Sequence, residues 1–207
     1  MRKLTTDYYR RSDVIVVSRN LLGKVLCTDI DGEVTRAVIC ETEAYAGEED
    51  KASHAYGGRR TTRTEPMYAA GGLAYIYLCY GIHHLFNVVV GDVDQPLAIL
   101  VRAGNAIEGM DVMRRRRRLG DDSVLELTGP GVLTQALGIT TAQTGTSLLS
   151  QSIWIEDHGL TVPDDEIVVG PRVGVDYAEE DAARPYRFRI AGKPSLGRAS
   201  TSRRPRS

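Results

Sequence analysis

Two carboxylates and an aromatic ring follow directly from an apolar run in the first quarter of the chain. Residues 37–40 are apolar, and Glu41, Glu43 and Tyr45 then occupy alternate positions. Side chains repeat every two residues along a β-strand, so these three groups would share one face. A carboxylate that loses water on folding tends to have a raised pKa, and such groups cluster at functional sites. The alternative is a strand that runs off the end of a sheet and leaves its acids in solvent.

Tyrosines recur at short intervals in a later segment, residues 73–79, whose composition strongly favours a strand. Tyr75 and Tyr77 would lie on one face of that strand. Tyr80 stands immediately before a glycine at a predicted turn, and residues 84–90 form the returning strand. A large aromatic side chain at an exposed hairpin tip buries little apolar surface, and so contributes little stability, unless it inserts into a partner. From the residues alone, a core position for Tyr80 is the simpler interpretation.

Turn signals divide the rest of the chain into many short strands with few helices. Residues 24–30 and 34–43 are predicted strands, joined by an Asp-Gly pair that is a strong hairpin signal. Residues 105–119 predict a helix whose basic end lies at its C-terminal side. This pattern indicates an α+β single domain with a curved antiparallel β-sheet, flanking helices and a protruding β-hairpin.

The bulk composition is that of an ordinary globular protein, with 42% hydrophobic and 26% charged residues among 207. We expect one domain at residues 1–197, followed by a basic tail at residues 198–207 that is disordered. No run approaches the roughly 18 apolar residues of a membrane span, and the N-terminus lacks an apolar signal. We therefore expect no membrane contact and a cytoplasmic location, nucleoid-associated if the source is bacterial.

The net charge of −1 weakens any nucleic-acid function inferred from composition alone, but positive charge is unevenly distributed. Arginines cluster between residues 59 and 63 and at residues 114–118, and no acid follows Ala182. A locally basic face is therefore compatible with the sequence. The loop at residues 57–64 is rich in glycine and arginine, but it lacks the Walker pattern that would make a phosphate site specific.

The metal-binding side chains show no ligand spacing. Cys27, Cys40 and Cys79 lie in apolar runs without a CxxC motif, and the four histidines form no recognisable set with them. The cysteines are typical of small buried hydrophobic residues. We therefore expect no metal and no cofactor.

Several of these groups together form a specific pattern. The chain has Glu-Thr-Glu-Ala-Tyr at residues 41–45, His54, Tyr-x-Tyr-x-x-Tyr-Gly at residues 75–81, and Asn87. This pattern resembles the alkyladenine (3-methyladenine) DNA glycosylase family, of the mammalian type. The resemblance extends over nearly the whole chain and includes Thr-Gly-Pro-Gly at residues 128–131.

The resemblance implies a DNA repair enzyme that acts as a monomer on double-stranded DNA containing damaged purines. It would flip an alkylated or deaminated purine out of the duplex and hydrolyse the N-glycosidic bond, leaving an abasic site. No lysine is placed like a Schiff-base nucleophile in the motif, so we expect a monofunctional glycosylase. A monofunctional enzyme removes the base without cutting the strand.

The resemblance also assigns the catalytic roles. Glu43 would orient and deprotonate the attacking water, and its charge would stabilise an oxocarbenium-like transition state. Arg102 stands where the family has a basic residue near that water and the DNA backbone. For Arg102 an exposed arginine at a strand end is the open alternative.

The flipped base would be held by flat aromatic side chains, which suit a range of damaged purines. Tyr45, His54 and Tyr77 match the family positions that sandwich the base. Asn87 matches the position that excludes the exocyclic amino group of normal guanine. Tyr80 would wedge into the space left by the flipped nucleotide.

Contacts to the DNA backbone are assigned to a turn and to several arginines. The turn at Thr128, Gly129 and Gly131 matches a family turn that meets phosphates at a helix start. Contacts from three arginines are open, because a solvated face explains them equally well. These arginines are Arg59, Arg114 and Arg117.

The chain departs from the family pattern at three places near these contacts. Val132 stands where a lysine is common in relatives, so one charge contact is missing. His83 and His84 stand where relatives often carry aromatic or other residues, which changes the packing expected around the hairpin.

Two other classes of function compete with the glycosylase. The first is a non-catalytic damaged-DNA-binding module, which the presence of an acid at Glu43 disfavours. The second is a glycosidase acting on sugars or free nucleosides, with Glu41 and Glu43 as its acid/base pair. The predicted wedge at Tyr80 and the basic clusters favour duplex DNA over a free nucleoside.

Overall fold

The hairpin predicted at the Asp-Gly pair is present, and it begins the sheet that positions the site. Asp31 (φ 58°) and Gly32 (φ 75°) both adopt the left-handed conformation that a tight two-residue turn requires. They join β2 (Val25–Ile30) to β3 (Glu33–Tyr45). The computed structural model of the protein describes residues 1–120 and 123–192.

Ten strands and four α-helices are found among these described residues, together with short 3-10 turns. The other strands are β1 (Arg2–Lys3), β4 (Ala74–Cys79), β5 (His83–Val90), β6 (Leu97–Glu108), β7 (Leu127–Thr128), β8 (Ile153–Asp157), β9 (Ile167–Gly170) and β10 (Arg187–Ile190). The helices are α1 (Thr6–Tyr9), α2 (Val14–Asn20), α3 (Met110–Arg116) and α4 (Pro130–Leu137). This content confirms the predicted α+β class.

The described strands pair in antiparallel fashion in one open sheet, with the order β1-β8-β2-β3-β6-β5-β4. β10 pairs with β3 and β9, and β7 pairs with β6. The long strands β3 and β6 therefore lie at the centre of the sheet. Glu43, Tyr45 and Arg102 lie on this central pair.

Two irregularities interrupt the pairing of β3 with β6 where the carboxylates lie. The register shifts between Ile39 and Glu41 and again between Glu41 and Thr42, leaving Cys40 on β3 and Arg102 on β6 without an opposite residue. Such β-bulges bend a strand and re-aim its side chains, and they are common beside active sites. Here the bulges bring Arg102 towards the acids of β3.

The helix predicted for residues 105–119 is wrong over its first part. β6 continues to Glu108, because residues 105–108 pair with β3, and α3 is confined to Met110–Arg116. Gly109 separates the two elements with a φ of 74°. Long-range strand pairing thus outweighed a local helical preference.

The expectation of a strand running off the sheet is also wrong, since β3 remains paired with β6 as far as Tyr45. Glu41 and Glu43 are buried, and neither projects freely into solvent.

Two of the apolar clusters that pack on the sheet support the site. The larger one packs α2 and α4 against the sheet, with Val17, Phe86 and Leu133 among its buried members. A smaller cluster includes Met67 and Tyr75 together with residues of β5 and β6. Tyr75 and Met67 also contribute to the wall of the candidate site, so that site is built on a packed support.

The hairpin of β4 and β5 projects its tip into solvent, as predicted. Cys79 pairs with His83, which leaves a connection of three residues at the tip. Tyr80 is 89% exposed and Ile82 is 71% exposed. Tyr80 also has a φ of 51°, a conformation that non-glycine residues seldom adopt. The core position considered for Tyr80 is therefore wrong.

The predicted tail at residues 198–207 lies outside the described residues, as do residues 193–197 of the predicted domain. In the part of the chain that is described, no helix is long and apolar enough to cross a bilayer.

Gly71 lies just before β4 and approaches the backbone of α1 closely. A Cβ at this position would lie 2.2 Å from the Tyr9 carbonyl oxygen. We expect Gly71→Ala to lower the free energy of unfolding by about 3 kcal/mol, because backbone atoms must move to relieve the overlap. Urea unfolding measures this. Gly170→Ala is the control, since a Cβ there meets nothing within 4 Å; equal losses in both variants would contradict the expectation.

Candidate active site

A pocket of about 290 Å³ opens beside the hairpin and brings together six of the predicted site residues. Its wall combines aromatic side chains with a few polar ones, which is typical of a site for a flat ligand. The predicted site residues that line it are Tyr45, His54, Tyr77, Tyr80, Asn87 and Arg102. These residues come from four separate segments of the chain.

Glu43 lies one layer behind the wall of this pocket, with a side chain that is 0% exposed. Its Oε1 accepts a hydrogen bond of 2.8 Å from the Val173 backbone N–H and lies 3.3 Å from Nη1 of Arg102. Its Oε2 accepts a hydrogen bond of 3.0 Å from the Tyr45 hydroxyl. All three partners line the pocket, so Glu43 is separated from it only by the groups that bind it.

Burial raises the pKa of Glu43 above the ordinary value of 4.5, although Arg102, the Val173 N–H and the Tyr45 hydroxyl act in the opposite direction. Desolvation disfavours the charged form, and each donor restores part of its stability. A carboxylate whose pKa is raised in this way is a stronger base than an exposed one, which suits a general base.

Arg102 connects Glu41 and Glu43. Its Nε donates to Oε1 of Glu41 at 2.9 Å, and its Nη1 faces Glu43. Glu41 also accepts a hydrogen bond of 2.6 Å from Nε of Arg187 on β10. The Arg102 side chain is only 13% exposed, so the exposed strand-end alternative for this residue is wrong.

His54 is held by the tyrosines of β4. Its Nδ1 lies 2.8 Å from the Tyr75 hydroxyl, and its ring meets the Tyr77 ring edge-on at 4.5 Å between centroids. Burial, with the nearby charges of Arg63 and Arg59, lowers the pKa of His54 to about 4. The imidazole is therefore neutral at physiological pH and presents an uncharged aromatic surface.

Asn87 is buried, and its orientation is determined by the backbone. Its amide nitrogen donates to the carbonyl oxygens of Tyr75 and Leu85, at 3.0 and 3.2 Å. The donor side of the amide is thus used within the protein. The carbonyl oxygen of Asn87 is the side-chain atom left to meet a ligand in the pocket.

The turn before α4 lies beside the hairpin. Gly129 has a φ of 97°, Thr128 is exposed, and α4 begins at Pro130. At Gly131 an added Cβ would lie 2.8 Å from Nδ1 of His83, so the absence of a side chain allows the His83 ring to pack there. The predicted phosphate turn and the predicted wedge therefore belong to one surface.

Two of the three predicted backbone arginines are engaged in contacts within the protein. Arg114 donates to the carbonyl oxygen of Ser123, and Arg117 donates to that of Glu126. Both bonds attach α3 to the segment before β7. Arg59 lies exposed on the loop that follows His54.

Two buried charged residues of this region were missed by sequence reasoning. Arg172 and Asp50 form an ion pair with both side chains 0% exposed, next to the Val173 amide. The segment Arg-Val-Gly at residues 172–174 was the available signal, because it lies within the part of the chain that the family resemblance covers. Tyr177, which also lines the pocket, follows in the same segment.

Cys27, Cys40 and Cys79 are free thiols. Over residues 1–120 and 123–192, no group of three or more His, Cys, Asp and Glu side chains is arranged to hold a metal ion.

The chain was compared with known proteins. The family model for methylpurine-DNA glycosylase matches residues 7–194. A provisionally named 3-methyladenine DNA glycosylase of Natranaerobius thermophilus is 42% identical over 194 residues, which cover 93% of this chain and 97% of that protein. One from Chlamydia abortus, also provisionally named, is 45% identical over 186 residues, covering 89% and 96% of the two chains.

The match extends from α1 past β10 and thus includes every residue of the pocket. The relatives just named are bacterial, so the closer likeness to the mammalian type stays a prediction. The chain belongs to the methylpurine-DNA glycosylase family and is a DNA glycosylase of DNA repair.

Proposed function

We propose that this protein flips an alkylated or deaminated purine out of duplex DNA and hydrolyses its N-glycosidic bond with a water activated by Glu43. The observation that carries the proposal is the buried Glu43 carboxylate directly behind an aromatic pocket, bound by Arg102, Val173 and Tyr45. A buried, raised-pKa carboxylate at a pocket is the arrangement expected of a general base.

The base would lie between Tyr45 on one side and His54 with Tyr77 on the other. These side chains supply flat surfaces without a demanding hydrogen-bond pattern, which suits alkylated purines of different shape. The neutral state of His54 supports this role, because many alkylated purines are themselves cations and a charged imidazole would repel them.

Asn87 would exclude normal guanine from the pocket. Because backbone carbonyls hold its amide in place, the side chain cannot easily move away from an exocyclic amino group. Guanine would then be rejected because its exocyclic amino group overlaps with the Asn87 side chain, and not because an attractive contact is missing.

In the chemical step, Glu43 would take a proton from water while the water oxygen bonds to C1′. The bond between C1′ and the purine nitrogen breaks, and its electron pair leaves with the base. The negative charge of Glu43 stabilises the cationic sugar as that bond breaks. Arg102, bound to Glu41 and Glu43, would orient the water and face the DNA backbone.

Because Glu43 is sealed from solvent, water must reach it past one of its partners. The Tyr45 hydroxyl bonds Oε2, and the Tyr45 ring also lines the pocket. A small movement of this ring on base binding would release Oε2 to water. The same residue would then hold the base and expose the general base.

Tyr80 would fill the space left by the flipped nucleotide, since its ring projects almost fully exposed from the hairpin tip. Thr128, Gly129 and Gly131 would meet the phosphates beside it, and Arg59 would add a charge contact. We propose weaker roles for Arg114 and Arg117, because both already bind backbone carbonyls.

We propose that the enzyme acts as a monomer in the cytoplasm. It would be monofunctional, and the pocket supports this because no lysine is among the described residues that line it. The glycosidase alternative is disfavoured, since two guanidinium groups occupy Glu41 and leave it poorly placed to protonate a sugar oxygen.

We expect Glu43→Gln to lower single-turnover base release by about 10²- to 10⁴-fold, the usual contribution of a general base. Duplexes carrying hypoxanthine or ethenoadenine, together with methylated genomic DNA, are the substrates, and alkali reveals the abasic sites. Binding to damaged duplex should persist. The control is Glu49→Gln, which changes an exposed acid nearby and should leave the rate unaltered.

An active Glu43→Gln variant would refute the role of Glu43 and make Glu41 the next residue to test. Tight binding to damaged duplex by a wild type that releases no base would favour the non-catalytic module.

The rate of base release should fall as the pH falls, because Glu43 must be ionised to accept a proton. Burial raises its pKa, so the midpoint of this acid limb should lie above 4.5. A pH series of single-turnover rates on saturated enzyme measures the midpoint. A rate that stayed constant down to pH 4.5 would be inconsistent with this general base.

Tyr80→Ala should weaken base release from subsaturating duplex by about tenfold or more, because the wedge offsets part of the unstacking energy. The melting temperature should not change, since the side chain is 89% exposed. Damaged single-stranded DNA is the matched substrate and should show little effect. Tyr80→Trp should restore activity on duplex, and an equal loss on both substrates would argue against a wedge.

A further inference from the structure

A buried ion pair lies beside the site but does not touch the pocket. Nη2 of Arg172 donates to Oδ1 of Asp50 at 2.8 Å, and Nη1 donates to Oδ2 of the same carboxylate. Both side chains are 0% exposed. Taking two charges out of water is so unfavourable that a buried pair is weak evidence of a stabilising role. Its other contacts therefore indicate what the pair does.

Two further contacts of Arg172 are made to the strand segment that carries Glu43. Its Nη1 donates to the carbonyl oxygen of Ala44, at 3.0 Å, and Ala44 is the residue between Glu43 and Tyr45. Its guanidinium also lies over the Tyr45 ring, 4.9 Å from the centroid. The arginine therefore holds the backbone and the ring of the segment that supplies the general base.

Asp50 holds a second part of the pocket. Its carboxylate accepts hydrogen bonds from the backbone N–H groups of Ala46 and Ala52, at 2.9 and 3.1 Å. These bonds fold the loop that leads from Tyr45 to His54. Ala52 itself lines the pocket.

Val173, the residue after Arg172, links the ion pair to Glu43. The Val173 N–H donates to Oε1 of Glu43 at 2.8 Å, whereas Val173 as a residue is 47% exposed. Packing of its own side chain therefore does little to hold Val173. The neighbouring guanidinium, anchored by Asp50 and by the carbonyl oxygen of Asp181 at 3.1 Å, supplies that constraint.

We propose that the Asp50–Arg172 pair is a positioning device that holds the Val173 N–H against Glu43 and holds the Tyr45 ring in the pocket wall. The inference rests on the proposed role of Glu43 as the general base. The planar fork of arginine is required, because a lysine cannot bind the carboxylate and the two carbonyl oxygens in the same geometry. Neither residue contacts the substrate, so both act through their neighbours.

Two variants test the proposal, and they are chosen to separate position from charge. Arg172→Lys keeps the charge and loses the fork. Asp50→Asn removes a negative charge, which by charge alone would lower the pKa of Glu43. Loss of the Val173 hydrogen bond would instead raise that pKa in both variants. The other charged groups near Glu43, namely Arg102 and Glu41, are unchanged.

The primary measurement is the titration of the Glu43 carboxyl by ¹³C NMR on protein with labelled glutamate, assigned by its absence in Glu43→Gln. We expect an upward shift of about one pH unit in both variants, the change expected for one lost hydrogen bond to a charged group. The acid limb of base release should move by the same amount. The control is Ile155→Ala, which shortens a buried side chain of β8 and is compared at a matched loss of melting temperature. It should leave the midpoints of the Glu43 titration and of the acid limb unchanged.

An unshifted Glu43 titration in both variants, with only a lower melting temperature, would show that the pair is merely structural and would overturn the proposal. A downward shift in Asp50→Asn would show a pure charge effect and would also overturn it. The NMR titration needs no turnover. A wild type that releases no base would therefore refute the proposed function while leaving the positioning test intact.

Discussion

The burial of the Glu43 carboxylate is the constraint on which the rest of the structure depends. An ionised carboxylate away from water is strongly unfavourable unless donors surround it. Glu43 has three, from Arg102 on β6, from the Val173 amide after β9, and from the Tyr45 hydroxyl on its own strand. Three distant segments must therefore meet at this one point, and the sheet holds them there.

The sheet achieves this by departing from regular pairing at the site. The bulges at Cys40 and Arg102 turn the arginine towards Glu41 and Glu43, and Glu41 orients it while also accepting a hydrogen bond from Arg187. A regular ladder would have placed these groups at fixed intervals on the sheet. Glu43 is thus held by donors from several segments, whereas the hairpin tip proposed to meet DNA is exposed, and Tyr80 there has a left-handed backbone conformation.

Local sequence signals predicted the elements that depend on local interactions. The Asp31–Gly32 turn needs only its own left-handed conformations, and it is where the sequence placed it. The alternation of Tyr75 and Tyr77 likewise predicted a shared face, and both line the pocket. The helix predicted for residues 105–119 failed because the first part of this segment pairs with β3, a partner about seventy residues earlier that no local pattern specifies.

By itself, the sequence determined the class of fold, the hairpin of β4 and β5, and the family motif that points to Glu43, because each depends on residues close together in the chain. The exposure of Tyr80 at the hairpin tip was decided by the tertiary structure. Only the tertiary structure decided how Glu43 is held. Its bond from Val173 joins residues 130 positions apart, and the pair of Asp50 with Arg172 joins residues 122 positions apart. Periodicity and spacing carry no information over such distances, since these contacts exist only once the strands have been brought together.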